Sequence, residues 1–391
     1  MRFEFDKKNW TSIEEGEKDC YLLTNGLGGY SSLSVIGAAA RGDQALLMSA
    51  KRAPNVRMHL VSNIFEQLVV DGQEHILTSQ RMKSGKDYVG FHYLEKFIYD
   101  DFDEVAPVWI YRIEDVTVTK HLQMMHSENK VVLWYEIDNP SGKNVTLELL
   151  PLLRFTSKKE DFDAAQNLDV YQVMPCDVSV NADAQDRQYC IADGEIKLFL
   201  KTNANLSPQS AHLFGELYFS QDERDGRVAY GNVFVNCILK QQIETKSDTY
   251  VIFSTETITD LSAKKCYEAS VQKNSVRKKQ LLSQAPLSSE LGKQLVLSAD
   301  AYVVRRDSTN GKSIIAGYPF FEDWGRDTMI SLAGATIVTG RFAECKSILQ
   351  TFANYVKNGL LPNLFPEGGE NPKYNSADAP LLFVNAVYEL S

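Results

Sequence analysis
The sequence predicts a multidomain β + α protein: an N-terminal antiparallel β-sandwich over residues 1–258, then a helical part. Three observations predict it. Short runs rich in Val, Ile, Tyr, Phe and Trp, separated by turn residues, fill the first part, as strands with one buried face require. Helical periodicity replaces them after Asp260. The 391 residues are 44% hydrophobic and 24% charged, enough for two or three cores at about 150 residues per domain.

The strand-like runs include VWIYRI (108–113), VTVTKHL (116–122), IKLFLKT (196–202), NVFVNCILK (232–240) and TYVIFSTE (249–256). VVLWYEI and VTLELLPLL flank Asp138–Asn144, whose Pro140, Ser141 and Gly142 read as a hairpin turn. From Leu261 a polar, basic stretch reads as a linker helix lying on a domain surface, so 259–285 is taken as a helical linker. Ser288 and Ser289 offer N-caps for a helix running to Arg306, with Leu291, Leu295, Ala299 and Tyr302 at near-helical spacing. Further helices are expected from Asp327 to Gly340, from Arg341 to a stop at Gly359, and from Ser376 toward Ser391.

Composition narrows the function. Lys and Arg number 41 against 51 Asp and Glu, a net charge of −10, which gives no electrostatic support for nucleic-acid binding. The first residues lack the apolar core of a secretory signal, and no window approaches a membrane span of about 18 apolar residues. Six dispersed cysteines form no CxxC pair, so a cytoplasmic setting is expected. The histidines (His59, His75, His92, His121, His126, His212) show no metal-ligand spacing, and neither metal nor cofactor is expected. Asn25-Gly-Leu-Gly-Gly-Tyr30 lacks the third glycine and the βαβ setting of a dinucleotide loop, so it reads as a turn or bulge. Phosphate-loop, zincin and nucleophile-elbow motifs are absent.

The helical part carries aromatic, carboxylate, guanidinium and amide groups in two loops, 316–328 (AGYPFFEDWGRDT) and 361–379 (LPNLFPEGGENPKYNSADA). Loops of this composition suit a sugar, whose apolar ring face stacks on an aromatic and whose hydroxyls take forked donors and acceptors. Trp324 offers the stacking face, and Arg326 and Asp327 offer a donor and an acceptor. A purely structural account competes: Asp327 caps the helix from Thr328, Arg326 pairs with Glu322 or Asp323, Phe321, Trp324 and Tyr374 fill a core, and Asn375 and Asp378 cap the last helix.

AGYPFFEDWGRDTMISLAGATIVTGRFAEC and GLLPNLFPEGGENPKYNSADAPLLFVNAVYEL closely resemble bacterial glycogen debranching enzymes of the amylo-α-1,6-glucosidase type. The matching segments are Trp324–Thr328, Gly340–Phe342, Pro362–Asn363 and Tyr374–Ala379, in the family's order, and YLLTNGLGGYSSLSVIG (21–37) resembles the start of its β-sandwich. The resemblance implies that 286–391 is the first part of an (α/α)6 catalytic barrel. It implies a glycoside hydrolase that removes α-1,6-linked glucose at branch points of glycogen or related maltooligosaccharides, by inversion with two carboxylates. By the same resemblance, Trp324, Arg326 and Asp327 hold the terminal glucose, with Asn363, Tyr374, Asn375 and Asp378 as further pocket members.

Two features depart from the family. Ala40-Arg-Gly-Asp-Gln44 stands where relatives carry an arginine-rich RRYHG stretch, which weakens any sugar-contacting role for the first domain. Twelve helices with their loops need roughly 200 residues. Residues 286–391 supply 106, so the chain is expected to hold about half a barrel, with the catalytic pair beyond Ser391 and the isolated chain inactive. Glu367 and Glu370 faintly echo an acid-bearing loop but stand early for that role. A phosphorylase of the maltose or trehalose type and a non-catalytic α-glucan-binding protein are the alternatives.

Overall fold
The computed structural model describes residues 2–100, 102, 107–158, 160–176, 186–258, 262–365 and 372–391. Among them, two large antiparallel sheets pack face to face. The nine-stranded sheet runs in the order Arg2–Asp6, Leu94–Asp100, Val108–Ile113, Val116–Met124, Lys130–Asp138, Lys246–Ser254, Ile196–Thr202, Arg187–Asp193, Met174–Pro175. The eight-stranded sheet is built around Val56–Val70, which pairs with both Ala45–Arg52 and Val145–Ser157. Alternate residues of each sheet point inward: Leu133, Tyr135 and Ile137 from one meet Leu147, Leu149 and Leu152 from the other in one apolar core.

The expected hairpin across 138–144 does not form. Lys130–Asp138 pairs with Val116–Met124 and Lys246–Ser254, while Val145–Ser157 belongs to the opposite sheet. The buried Asn139 amide donates to Lys143 O and Glu244 O, each at 2.9 Å, and holds the chain as it crosses between sheets. The segment 25–30 is a turn between strands Leu23–Thr24 and Tyr30–Ser32, and Gly28 (φ +94°) is needed there: a Cβ would lie 2.2 Å from Pro54 O.

Two short helices, α1 (Ile13–Gly16) and α2 (Ser220–Arg224), lie within the sheet region. The linker helix α3 (Ala263–Gln284) lays Cys266 and Tyr267 on Val132, Tyr250 and Ile252, on the outer face of the larger sheet. Helix α4 (Glu290–Asp300) starts at Ser289, whose hydroxyl accepts from Gly292 N at 3.0 Å. It does not continue to Arg306. Strand Val303–Arg306 pairs with Gly311–Ile314 across a turn containing Asn310 (φ +49°). The β-branched Val303 and Val304 and the Asn-Gly step favour this hairpin over helix. Leu291 and Leu295 are exposed; Gly292, Val296 and Leu297 form the buried face instead.

Helix α5 (Gly325–Leu332) runs into a π-helical turn (Ala333–Ile337) and stops at Gly340 (φ +75°). Helices α6 (Phe342–Ala353) and α7 (Ala379–Leu390) follow, and Met329, Leu332, Ile348, Phe352, Phe365 and Ala386 share a second core. Among the described residues, no helix is long and apolar enough to cross a membrane.

Candidate functional site
The two loops singled out in the sequence meet at the N-terminus of α5. A helix start leaves backbone N–H groups without partners, and Trp324, at the N-cap, supplies no capping side chain. The second loop serves instead: Gly325 N donates to Asn363 O at 2.8 Å and Arg326 N to Asn363 Oδ1 at 3.2 Å. Trp324 pairs with Leu364, which pairs with Lys373, so three strands of loop lie side by side. Gly325 permits this approach, because a Cβ there would stand 2.1 Å from Pro362 O.

Arg326 Nε lies 3.0 Å from Asp378 Oδ2, and both side chains remain about half open to water. Ser376 donates to the other Asp378 oxygen. That hydroxyl, with the Arg326 guanidinium, holds the Asp378 carboxyl below its ordinary range. Asn363 Nδ2 donates to Asn375 Oδ1 at 3.1 Å. Asp327 is exposed in the first turn of α5, where the helix dipole favours an anion. Phe321 stands edge-on to Trp324 at 6.1 Å and is itself half exposed. Trp324, Arg326, Asp327, Asn363, Asn375 and Asp378 thus line one end of the helical part. Tyr374 is adjacent, but its hydroxyl donates to Tyr355 O at 2.7 Å, beyond the end of α6.

The competing structural roles fall out differently from the expectation. Arg326 pairs with Asp378 rather than with Glu322 or Asp323. Asp327 is third in its helix, not the cap, and it is Ser376 that accepts from Ala379 N, at 3.4 Å, where α7 begins. Glu367 and Glu370 lie outside the described residues.

The sequence reading missed the support beneath these groups. Asp323 is fully buried and paired with buried Arg306 at 2.5 Å; it also accepts from Asn55 Nδ2 at 2.8 Å. Burial pushes the Asp323 carboxyl above its ordinary range, against the pull of Arg306 and the amide. The loop before Asp323 is held by the sheets. Phe320 lies between the guanidinium groups of Arg41 (5.0 Å) and Arg227 (4.6 Å), and Arg57 stands 5.2 Å over Tyr318. Arg41, within the stretch that departs from RRYHG, also pairs with Asp222 and Asp225. The signal available in sequence was a carboxylate, Asp323, beside an aromatic run, but nothing local names its partners. Among the described residues, no cluster of three or more His, Cys, Asp or Glu is placed to hold a metal.

The family model described as glycogen debranching enzyme N terminal matches residues 20–250, and one described as amylo-alpha-1,6-glucosidase matches residues 297–391. The glycogen debranching enzyme of Saccharomyces cerevisiae is 45% identical over 85 residues, 20% of this chain and 6% of the yeast protein. A bacterial glucoamylase, solved in complex with acarbose, superposes with a TM-score of 0.52 at 13% identity, over 98% of this chain and 56% of the glucoamylase. This chain therefore spans little more than half of that solved relative, and the likeness is one of fold.

Proposed function
The chain belongs to the glycogen debranching enzyme family, and from that premise we propose that the site at the start of α5 holds the terminal glucose of an α-1,6-linked branch of glycogen or a related glucan for hydrolysis. The observation that carries this reading is the meeting of Arg326 and Asp327 with Asn363 and Asp378, drawn from two separate loops beside the indole of Trp324. On this reading Trp324 stacks on the apolar face of the sugar ring. Arg326, braced by Asp378, donates to one hydroxyl, while Asp327 and Asn363 accept from or donate to its neighbours. Residues 1–258, 259–285 and 286–391 are the sandwich, a linker and part of an (α/α)6 barrel, and the setting is cytoplasmic.

The chemistry is inverting hydrolysis. One carboxylic acid protonates the glycosidic oxygen while a second carboxylate, about 6.5–9.5 Å away, deprotonates a water on the opposite face. The residues named here bind and orient the glucose; neither member of the catalytic pair is assigned to them. Holding the ring rigidly against that pair is their contribution to rate.

The test is glucan binding and glucose release. Calorimetry with maltooligosaccharides should show saturable binding that Asp327→Asn weakens by about tenfold or more, since it removes a charged acceptor from a sugar hydroxyl. The natural protein should release β-glucose from a limit dextrin bearing α-1,6 stubs, without added phosphate. Unchanged binding by Asp327→Asn would remove Asp327 from the site, and release of glucose 1-phosphate only when phosphate is supplied would establish a phosphorylase instead.

A further inference from the structure
Asn55 lies in the turn between strands Ala45–Arg52 and Val56–Val70, far in sequence from both loops of the candidate site, and is 4% exposed. Its amide nitrogen has two protons and uses both. One goes to Asp323 Oδ1 at 2.8 Å, the other to Phe365 O at 3.1 Å. Asp323 directly precedes Trp324 and Phe365 follows Asn363 by two residues, so a single amide from the sheets ties together the loops that bear the site. Its own Oδ1 has no partner among the described residues, so the side chain acts there as a double donor.

The surroundings hold that amide in place. Ala53 N donates to Asp307 Oδ2 at 3.0 Å and Asp307 N to Ala53 O at 3.1 Å, fastening the turn to the hairpin 303–314. Arg306, from the same hairpin, takes the second Asp323 oxygen and lies 4.0 Å over the Phe365 ring. Asp323 therefore keeps a charge partner if Asn55 is removed, whereas the Phe365 carbonyl loses the tie that links it to the first loop.

We infer that Asn55 is a positioning residue for the sugar pocket, setting the spacing between the Trp324–Asp327 loop and the Asn363 loop, and that the N-terminal sheets are thereby a working part of the pocket. The inference rests on the sugar-binding reading for its ligand, but not for the brace itself. The two are separated by measuring amide hydrogen exchange and maltooligosaccharide affinity on the same variants of the full chain.

In Asn55→Ala, exchange at Gly325, Arg326, Asn363 and Lys373 should speed up together by about tenfold, the loss of one or two buried hydrogen bonds, while the strand Lys130–Asp138 stays protected. Affinity for a maltooligosaccharide should fall by a similar factor. The exchanged pair Asn55→Asp with Asp323→Asn restores a donor and acceptor between the first loop and the turn but sets a carboxylate against the Phe365 carbonyl. It should restore protection at Arg326 less than fully, leave Lys373 exchanging fast, and serve as the deciding variant if Asn55→Ala does not fold. Loosening of one loop alone, or unchanged exchange in both, overturns the brace. Loosening of both loops in a chain that binds no maltooligosaccharide upholds the brace and overturns the sugar reading.

Discussion
Arg326 and Asp378 form an ion pair half open to water, and such pairs contribute at most about 1 kcal/mol to stability. Their meeting across two loops is better explained by what the fork can grasp. Arg326→Ala should thus change the unfolding free energy by less than about 1 kcal/mol in urea melts, yet weaken maltooligosaccharide binding by about tenfold. Glu17 behaves in the opposite way. It is buried, accepts from Ser220 Oγ at 2.5 Å, and burial pushes its carboxyl up to about 7 against the opposing pull of Ser220 and Arg81. Between the ordinary value of 4.5 and about 7 the folded chain holds a proton that the unfolded chain has released, so stability is fullest below 4.5 and falls as pH rises through about 7. Glu17→Gln should match the parent near pH 5 and exceed it by about 1–3 kcal/mol at pH 8 in urea unfolding. A variant no more stable than the parent at pH 8 would show that the carboxylate is satisfied after all.

Elements were legible where their determinants are local. The strands 108–113 and 196–202 stand where alternation placed them, and Ser289 caps α4 as its position before an apolar run implies. The same rule failed at α5, whose cap comes from Asn363, in a different segment, so Asp327 had the cap role in sequence but not in space. It failed again at 303–314, where Val303-Val304 and Asn310-Gly311 signalled a hairpin that the helical spacing of Leu295, Ala299 and Tyr302 masked. Gly325 tests how tightly α5 and its borrowed cap are joined. Gly325→Ala places a Cβ against the Pro362 carbonyl and should cost about 1–3 kcal/mol by forcing the loops apart. Thermal melting should show the loss, and binding should weaken beyond it; a melting temperature equal to the parent's would mean that the 362–364 loop yields freely.

At the scale of the whole molecule, the two-sheet core is closed while the helical part shows apolar side chains to water. On α7, Leu381 is 73%, Val384 65% and Tyr388 77% exposed, and Ile330 on α5 is 61%. Spacing of three and four residues puts the α7 group on one face. Contiguous apolar surface of this kind drives association, so light scattering across a dilution series should show concentration-dependent particles that Leu381→Glu with Val384→Glu disperses. The parent chain scattering as a monomer throughout would count against it. By itself the sequence determined the change from strands to helices near residue 258, most strand and helix positions, and the two loops that bear the candidate residues, because alternation, helical spacing, caps and glycine stops are written within a few residues of where they act. Tertiary structure alone decided that strands 130–138 and 145–157 belong to opposite sheets, that Arg326 pairs with Asp378, and that Asn55 joins loops 268 and 310 residues away. Those pairings depend on which surfaces the packed sheets and helices bring together, and a buried polar group such as Asp323 takes whichever partner that packing supplies.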